Sequence, residues 1–337
     1  MYIRDDLMPV IAATPEQTTW DLPALRAGGD KLLGGIEPDL GAAQREILSV
    51  PREGDDGELE LRWFTPVDPV RAVIVSIHGG GYVCGRAKFD DEKNAEMAQR
   101  LMAAVVSPDY RLAPEYPFPA GAHDCVLAII HAQKKACELG VPLVVFGDSA
   151  GGGLAYFSTV MYTEQMCDEG GCYEQASDEY AHSEHTCTDH IYTERLRGNR
   201  EKAHTDRPIS ALVLLEPCLD PRTDTASFTA YAEGPVWTKR AAVTAWKYTA
   251  PSDPIREGII DMLENSARVK NFPATLTVVN PADPLRDEGI ALATHLADSG
   301  VQSELHMYAG TFHGALSVKG NAVWNDILAL IERVCAV

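Results

Sequence analysis

Leu143-Val144-Val145-Phe146-Gly147-Asp148-Ser149-Ala150-Gly151-Gly152-Gly153 decides how this chain is to be read. Four consecutive apolar residues bounded by a turn signal describe a short strand buried on both faces. Gly147 to Gly151 is the turn, and the apolar stretch after it has helical character. A serine between two glycines on a strand-turn-helix junction is held out on a tight bend, where a Cβ at either flanking position would clash. The start of the following helix adds a positive dipole next to the hydroxyl. Ser149 is therefore the candidate nucleophile.

A serine hydroxyl attacks only when a base takes its proton and when donors receive the negative charge that develops on the substrate oxygen. Upstream, the run Val73–Ile77 ends in His78-Gly79-Gly80-Gly81-Tyr82, the form of glycine loop whose backbone N–H groups make an oxyanion hole. Gly80, Gly81 and Ala150 are the candidate donors, with His78, Gly79, Gly147, Asp148 and Gly151 as motif support. Downstream, Gly310-Thr311-Phe312-His313-Gly314 places a histidine on a loop after the last strand-like run. His313 is the candidate base, because His123, His131, His295 and His306 fall within helix or strand patterns. Asp283, on the proline-rich turn Asn280-Pro281-Ala282-Asp283-Pro284, is the candidate orienting acid. Asp287 and Glu288 are rivals that serve equally well as charges at a helix start. The order serine, acid, histidine is the one expected of α/β-hydrolases.

Outward from these motifs, β-branched runs at Val73–Ile77, Ala103–Ser107, Leu143–Gly147, Ala211–Leu215, Thr275–Val279 and Glu304–Tyr308 alternate with stretches of helical spacing. Between Ala122 and Ala136, for example, apolar residues recur at three- and four-residue steps and stop before Gly140. That alternation predicts an α/β fold: a mostly parallel central sheet with helices on both faces. One such domain accommodates all 337 residues. Residues 1–50 read as helical and polar-faced, and Glu58-Leu61-Trp63-Thr65 as an edge strand. The block 220–272, rich in aromatic residues, is longer than a connection needs. Residues 1–50 and 220–272 are expected to form a helical cap.

At each of these stations the sequence resembles the hormone-sensitive-lipase-like family of esterases within the α/β-hydrolase superfamily. The resemblance extends to Asp109-Tyr110-Arg111-Leu112-Ala113-Pro114-Glu115-Tyr116-Pro117-Phe118-Pro119-Ala120, a stretch without catalytic residues that marks this family. It implies that this stretch supports the oxyanion loop, that the protein is a serine carboxylesterase acting on short- to medium-chain carboxylic esters through an acyl-enzyme, and that no cofactor is needed. Alternative expectations are a hydrolase for an amide, a lactone or an acetylated metabolite. A dehydratase-like lyase or a ligand-binding receptor is a further alternative, but Ser149 and His313, lost in several such relatives, are both present. Glu216-Pro217-Cys218 departs from the family's Ser-Pro-Trp-like turn.

A second departure is an acidic insertion over about residues 163–207, with Cys167, Cys172, Cys187 and four histidines. His182, His185, Cys187 and His190 are residue types that bind zinc, but their spacing matches no metal motif. The expectation is no metal and a solvated excursion serving stability or oligomerisation; a homo-oligomer is left open. A formal charge of −20 excludes a nucleic-acid partner on the usual grounds, since phosphate binding needs clustered Lys and Arg. No apolar run reaches the roughly 20 residues that span a bilayer, and the first residues carry no secretory signal. A cytoplasmic enzyme with a small-molecule substrate is expected.

Overall fold

The computed structural model describes residues 2–13, 21–33, 35, 37–52, 57–168 and 209–335. Its strands are β1 (Gln44–Pro51), β2 (Glu58–Thr65), β3 (Ala72–Ile77), β4 (Ala103–Pro108), β5 (Leu143–Asp148), β6 (Ala211–Leu215), β7 (Ala274–Val279) and β8 (Ser303–Met307). They form one sheet in the order β1-β2-β4-β3-β5-β6-β7-β8. From β4 to β8 every pairing is parallel; β1 and β2 join antiparallel. The α/β class and all six apolar runs are thus as the sequence predicts.

β3, β4, β5 and β6 are buried at every position, because helices cover both faces of the sheet. The helices are α1 (Met8–Ala13), α2 (Leu22–Leu33), α3 (Asp91–Leu101), α4 (Ala120–Leu139), α5 (Ala150–Asp168), α6 (Ala226–Ala230), α7 (Lys239–Thr249), α8 (Asp253–Glu264), α9 (Arg286–Asp298) and α10 (Ala322–Cys335). On one face α3 and α10 pack Met97, Leu101, Trp324 and Ile327 against Ile74, Val144 and Phe146. On the other, α4, α5 and α9 pack Ile129, Leu154, Phe157 and Leu292 against the opposite sides of the same strands.

The N-terminal expectation is corrected in part. Gln44–Pro51 is a strand, and its pairing makes β1 the edge and moves β2 one place inward. Its residues follow neither a helical nor an alternating pattern, and only Val50 is buried. Backbone pairing with β2 specifies β1, and a hydrophobicity pattern does not record such pairing.

Charge pairing locks this margin to the sheet. Arg62 on β2 donates to both carboxylate oxygens of Asp91 at 2.8 and 2.6 Å, and Arg45 on β1 donates to the same carboxylate at 2.6 Å. Arg62 and Asp91 are both buried. Removing one member of a buried pair strands the other's charge. Asp91→Ala is expected to lower the unfolding free energy by about 3 kcal/mol or more, read from urea denaturation.

N-terminal to the sheet, Arg26 ties α2 to the loops below it. Arg26 donates to the carbonyls of Val83 and Ala113, each at 2.7 Å, and forms a two-pronged pair with Glu115. Leu22 packs with Val83, Ala113 and Ala245, so α2 touches the loop after β3 and also α7. The helix α5 continues to Asp168. The remainder of the acidic stretch, with Cys172, His182, His185, Cys187 and His190, lies outside the described residues. Among those described, no helix is long and apolar enough to cross a membrane.

Candidate active site

β5 and α5 are joined by a turn so short that Ser149 is held in the left-handed region at φ 54°. A Cβ on Gly147 would lie 2.1 Å from the carbonyl oxygen of Gly151, and one on Gly151 would lie 2.1 Å from that of Ile77. Both glycines are therefore required by close backbone approach. The Ser149 N–H donates to the Leu215 carbonyl at 2.9 Å, and its carbonyl accepts from the Cys218 N–H at 2.9 Å, which pins the elbow to the end of β6.

Parallel strands deliver their loops to one end of the sheet, and those loops bring the distant residues together. Ser149 Oγ lies 2.9 Å from His313 Nε2, and His313 Nδ1 lies 2.9 Å from Asp283 Oδ2. A carboxylate only accepts, so in the neutral ring Nδ1 carries the proton and Nε2 faces the serine as acceptor. All three are buried. Asp283 is fixed further by the Leu285 N–H at 2.9 Å and the Asn280 amide at 3.2 Å. Its rivals point elsewhere: Asp287 accepts from the Ser227 N–H and Glu288 from the Leu219 N–H.

The glycine loop lies beside Ser149. Gly80 has φ 121°, and a Cβ there would sit 2.0 Å from the Cys84 carbonyl oxygen, so no side chain fits. His78 donates from Nδ1 to the Gly79 carbonyl at 2.8 Å and stacks on Tyr110 at 4.2 Å. Burial holds its pKa below the ordinary histidine value, which favours the neutral ring. Tyr110 donates to the His78 carbonyl at 2.9 Å, and the Ala113 N–H donates to the Tyr82 carbonyl at 3.0 Å. The family-marking stretch thus braces the loop that carries Gly80 and Gly81.

The sequence assigned no role to four contributors. Lys93, from α3, reaches under the elbow to Asp148 at 2.9 Å and to Asp90 at 2.8 Å. Burial opposes ionisation of Asp148, but Lys93 outweighs it and holds the carboxyl below its usual range. Trp237, between α6 and α7, stands over the site: its ring lies 5.8 Å from that of His313, and a Cβ on Gly81 would come within 2.6 Å of it. Glu216 and Asn280 complete the surroundings of His313 and Asp283. Glu216 Oε1 accepts from the Gly314 N–H at 2.8 Å, and Asn280 bridges Glu216 Oε2 and Asp283.

Charges in this cluster move together. Burial lowers the affinity of His313 for a proton, but Asp283 and Glu216 outweigh it and raise its pKa to about 9. Burial pushes the Glu216 carboxyl up to about 7, against the pull of His313. Among the described residues Glu216, Asp283 and His313 also form the grouping whose atoms are spaced as metal ligands would be. Here both ring nitrogens face Ser149 and Asp283, and the carboxylates already accept N–H donors. The arrangement is a hydrogen-bonded line from Asp283 through His313 to Ser149.

Known proteins share these features. A family profile described as alpha/beta hydrolase fold matches residues 74–317. An arylesterase of Saccharolobus solfataricus is 24% identical over 305 residues, covering 89% of this chain and 86% of that protein. The hormone-sensitive lipase of Bos taurus is 36% identical over 154 residues, 43% of this chain and 20% of that much longer protein. Among solved structures, a bacterial heroin esterase superposes with a TM-score of 0.76 at 30% identity, covering 99% of this chain and 98% of that one. With the fold, the glycine loop and the elbow in place, this chain belongs to the alpha/beta hydrolase family, in its hormone-sensitive-lipase-like branch.

Proposed function

We propose that this chain is a serine carboxylesterase that hydrolyses small-molecule esters of short to medium chain length, with Ser149 as nucleophile, His313 as base and Asp283 as orienting acid. The observation that carries this reading is the pair of 2.9 Å contacts linking the three side chains in one line. His313 Nε2 takes the Ser149 proton as Oγ bonds to the ester carbonyl carbon. The carbonyl oxygen becomes an anion held by the N–H groups of Gly80, Gly81 and Ala150. The C–O bond to the alcohol breaks, His313 returns the proton to the departing oxygen, and an acyl-Ser149 ester remains. Water, deprotonated by the same imidazole, attacks that ester, the bond from the acyl carbon to Oγ breaks, and His313 returns the proton to Ser149 as the acid leaves.

Trp237 bounds the space in which the ester lies, because its ring occupies the side of the site between Gly81 and His313. Short acyl chains are therefore the preferred substrates. A p-nitrophenyl ester series from acetate upward tests this: kcat/KM is expected to be highest on the short chains, and absence of turnover on every length by the folded protein would overturn the esterase reading. Trp237→Ala should move the optimum to longer chains, with kcat/KM for the octanoate rising about tenfold relative to the acetate, since each methylene newly accommodated contributes about 0.8 kcal/mol. An unchanged chain-length profile in that variant would remove Trp237 as the wall. A lyase or receptor role is not favoured, because the relay from Asp283 through His313 to Ser149 is complete.

A further inference from the structure

Glu216 is a buried carboxylate that the mechanism above does not use. It stands at the end of β6 with φ 40°, an uncommon conformation for a residue other than glycine. Each of its oxygens is committed to a different loop. Oε1 accepts from the N–H of Gly314, the residue after His313, and Oε2 accepts from Asn280, which also donates to Asp283. An oxygen of Glu216, a nitrogen of His313 and an oxygen of Asp283 lie within 4.8 Å of one another. The charged groups facing Glu216 are His313, Asp283 and Asp148; Lys93 is directed to Asp148 and Asp90.

We propose that Glu216 is a second acid for His313: a positioning residue that ties the histidine loop to β6 and whose negative charge makes the imidazole more basic. This rests on the reading of Ser149 and His313 as nucleophile and base. Asp283 orients the ring through Nδ1, while Glu216 acts on the backbone next to the ring and through space. An anion a few ångströms from an imidazole favours its charged form. With Glu216 ionised, His313 takes up the serine proton more readily but stays protonated to higher pH. With Glu216 protonated, the ring is a weaker base that is free at lower pH. The carboxyl's elevation to about 7 by burial lets this exchange occur near neutrality. The two groups titrate as a pair.

The test is the pH dependence of Ser149 labelling by a fluorophosphonate, which needs the nucleophile and its base but no particular substrate. In Glu216→Gln the half-maximal pH for labelling should fall by about one unit. Above about pH 7, where the wild-type Glu216 is ionised, and below the wild-type half-point, that variant, relative to its own plateau, should label about tenfold faster than wild type, because one unit of pKa is tenfold in free base. Glu216→Asp, which keeps the charge, should retain the wild-type half-point while its plateau falls. A Glu216→Gln profile that loses plateau rate with an unmoved half-point would overturn the proposal and leave Glu216 a merely structural tie. If that variant does not fold, the wild-type His313 Nδ1 proton, followed by NMR through a pH titration, should shift in two steps; a single step overturns the proposal. A wild type that is not labelled at all would instead defeat the esterase reading, and the NMR titration would still judge the coupling.

Discussion

Replacing Ser149 with alanine should leave a folded protein whose kcat for p-nitrophenyl acetate is lower by about 10⁵- to 10⁶-fold, the scale seen when a serine nucleophile is removed from a complete relay. Alanine can adopt the same φ of 54° and keeps the backbone hydrogen bonds that tie residue 149 to Leu215 and Cys218. The thermal midpoint should therefore move little. What disappears is the atom that bonds to the acyl carbon. The oxyanion donors remain, so hydrolysis above the background rate persists. A loss of less than tenfold in kcat would show that another group attacks the ester.

Asp283→Asn should lower kcat by about 10³- to 10⁴-fold with little change in KM. The asparagine amide can turn its NH₂ toward His313 Nδ1, which forces the ring proton onto Nε2, the nitrogen that must accept from Ser149. Its carbonyl oxygen can still accept from the Leu285 N–H, as Asp283 Oδ1 does now at 2.9 Å, so the loop is preserved. Glu216 leaves one carboxylate beside the ring, and the variant should remain more active than Ser149→Ala. A kcat within tenfold of wild type would assign the orienting role to another carboxylate.

The sheet and the elbow were legible in the sequence for the same reason. A strand covered on both faces must be apolar throughout, and a nucleophile elbow must carry small residues on either side of its serine, so both leave a contiguous record. β3 through β7 and the Gly147–Gly151 turn are of this kind. Where stability comes from partners distant in the chain, no local record exists. β1 is held by pairing with β2, and Lys93 acts on a carboxylate reached only after the sheet forms. Glu216 was visible only as a departure from a family turn, because its partners Asn280 and Gly314 come from loops far along the chain. Trp237 was one aromatic residue among several in its block until the fold set it over Gly81.

Three turns at the ends of β3, β5 and β6 hold Tyr82, Ser149 and Glu216 at φ 66°, 54° and 40°. In that conformation a Cβ crowds the neighbouring carbonyl, at about 1 kcal/mol or more per residue, and glycine does not carry this cost. All three nevertheless keep side chains that work at the site: a phenol bonded to the Cys218 carbonyl, the candidate nucleophile, and the carboxylate beside His313. Selection for stability alone would favour glycine at residue 149, whose side chain is small, whereas Tyr82 also fills the core and Glu216 also satisfies Gly314 and Asn280. A duplicated copy of this gene released from the need for turnover would therefore gain robustness by drifting to glycine at residue 149 while its apolar core stayed intact, and such drift in a descendant would mark retirement from chemistry before any loss of fold.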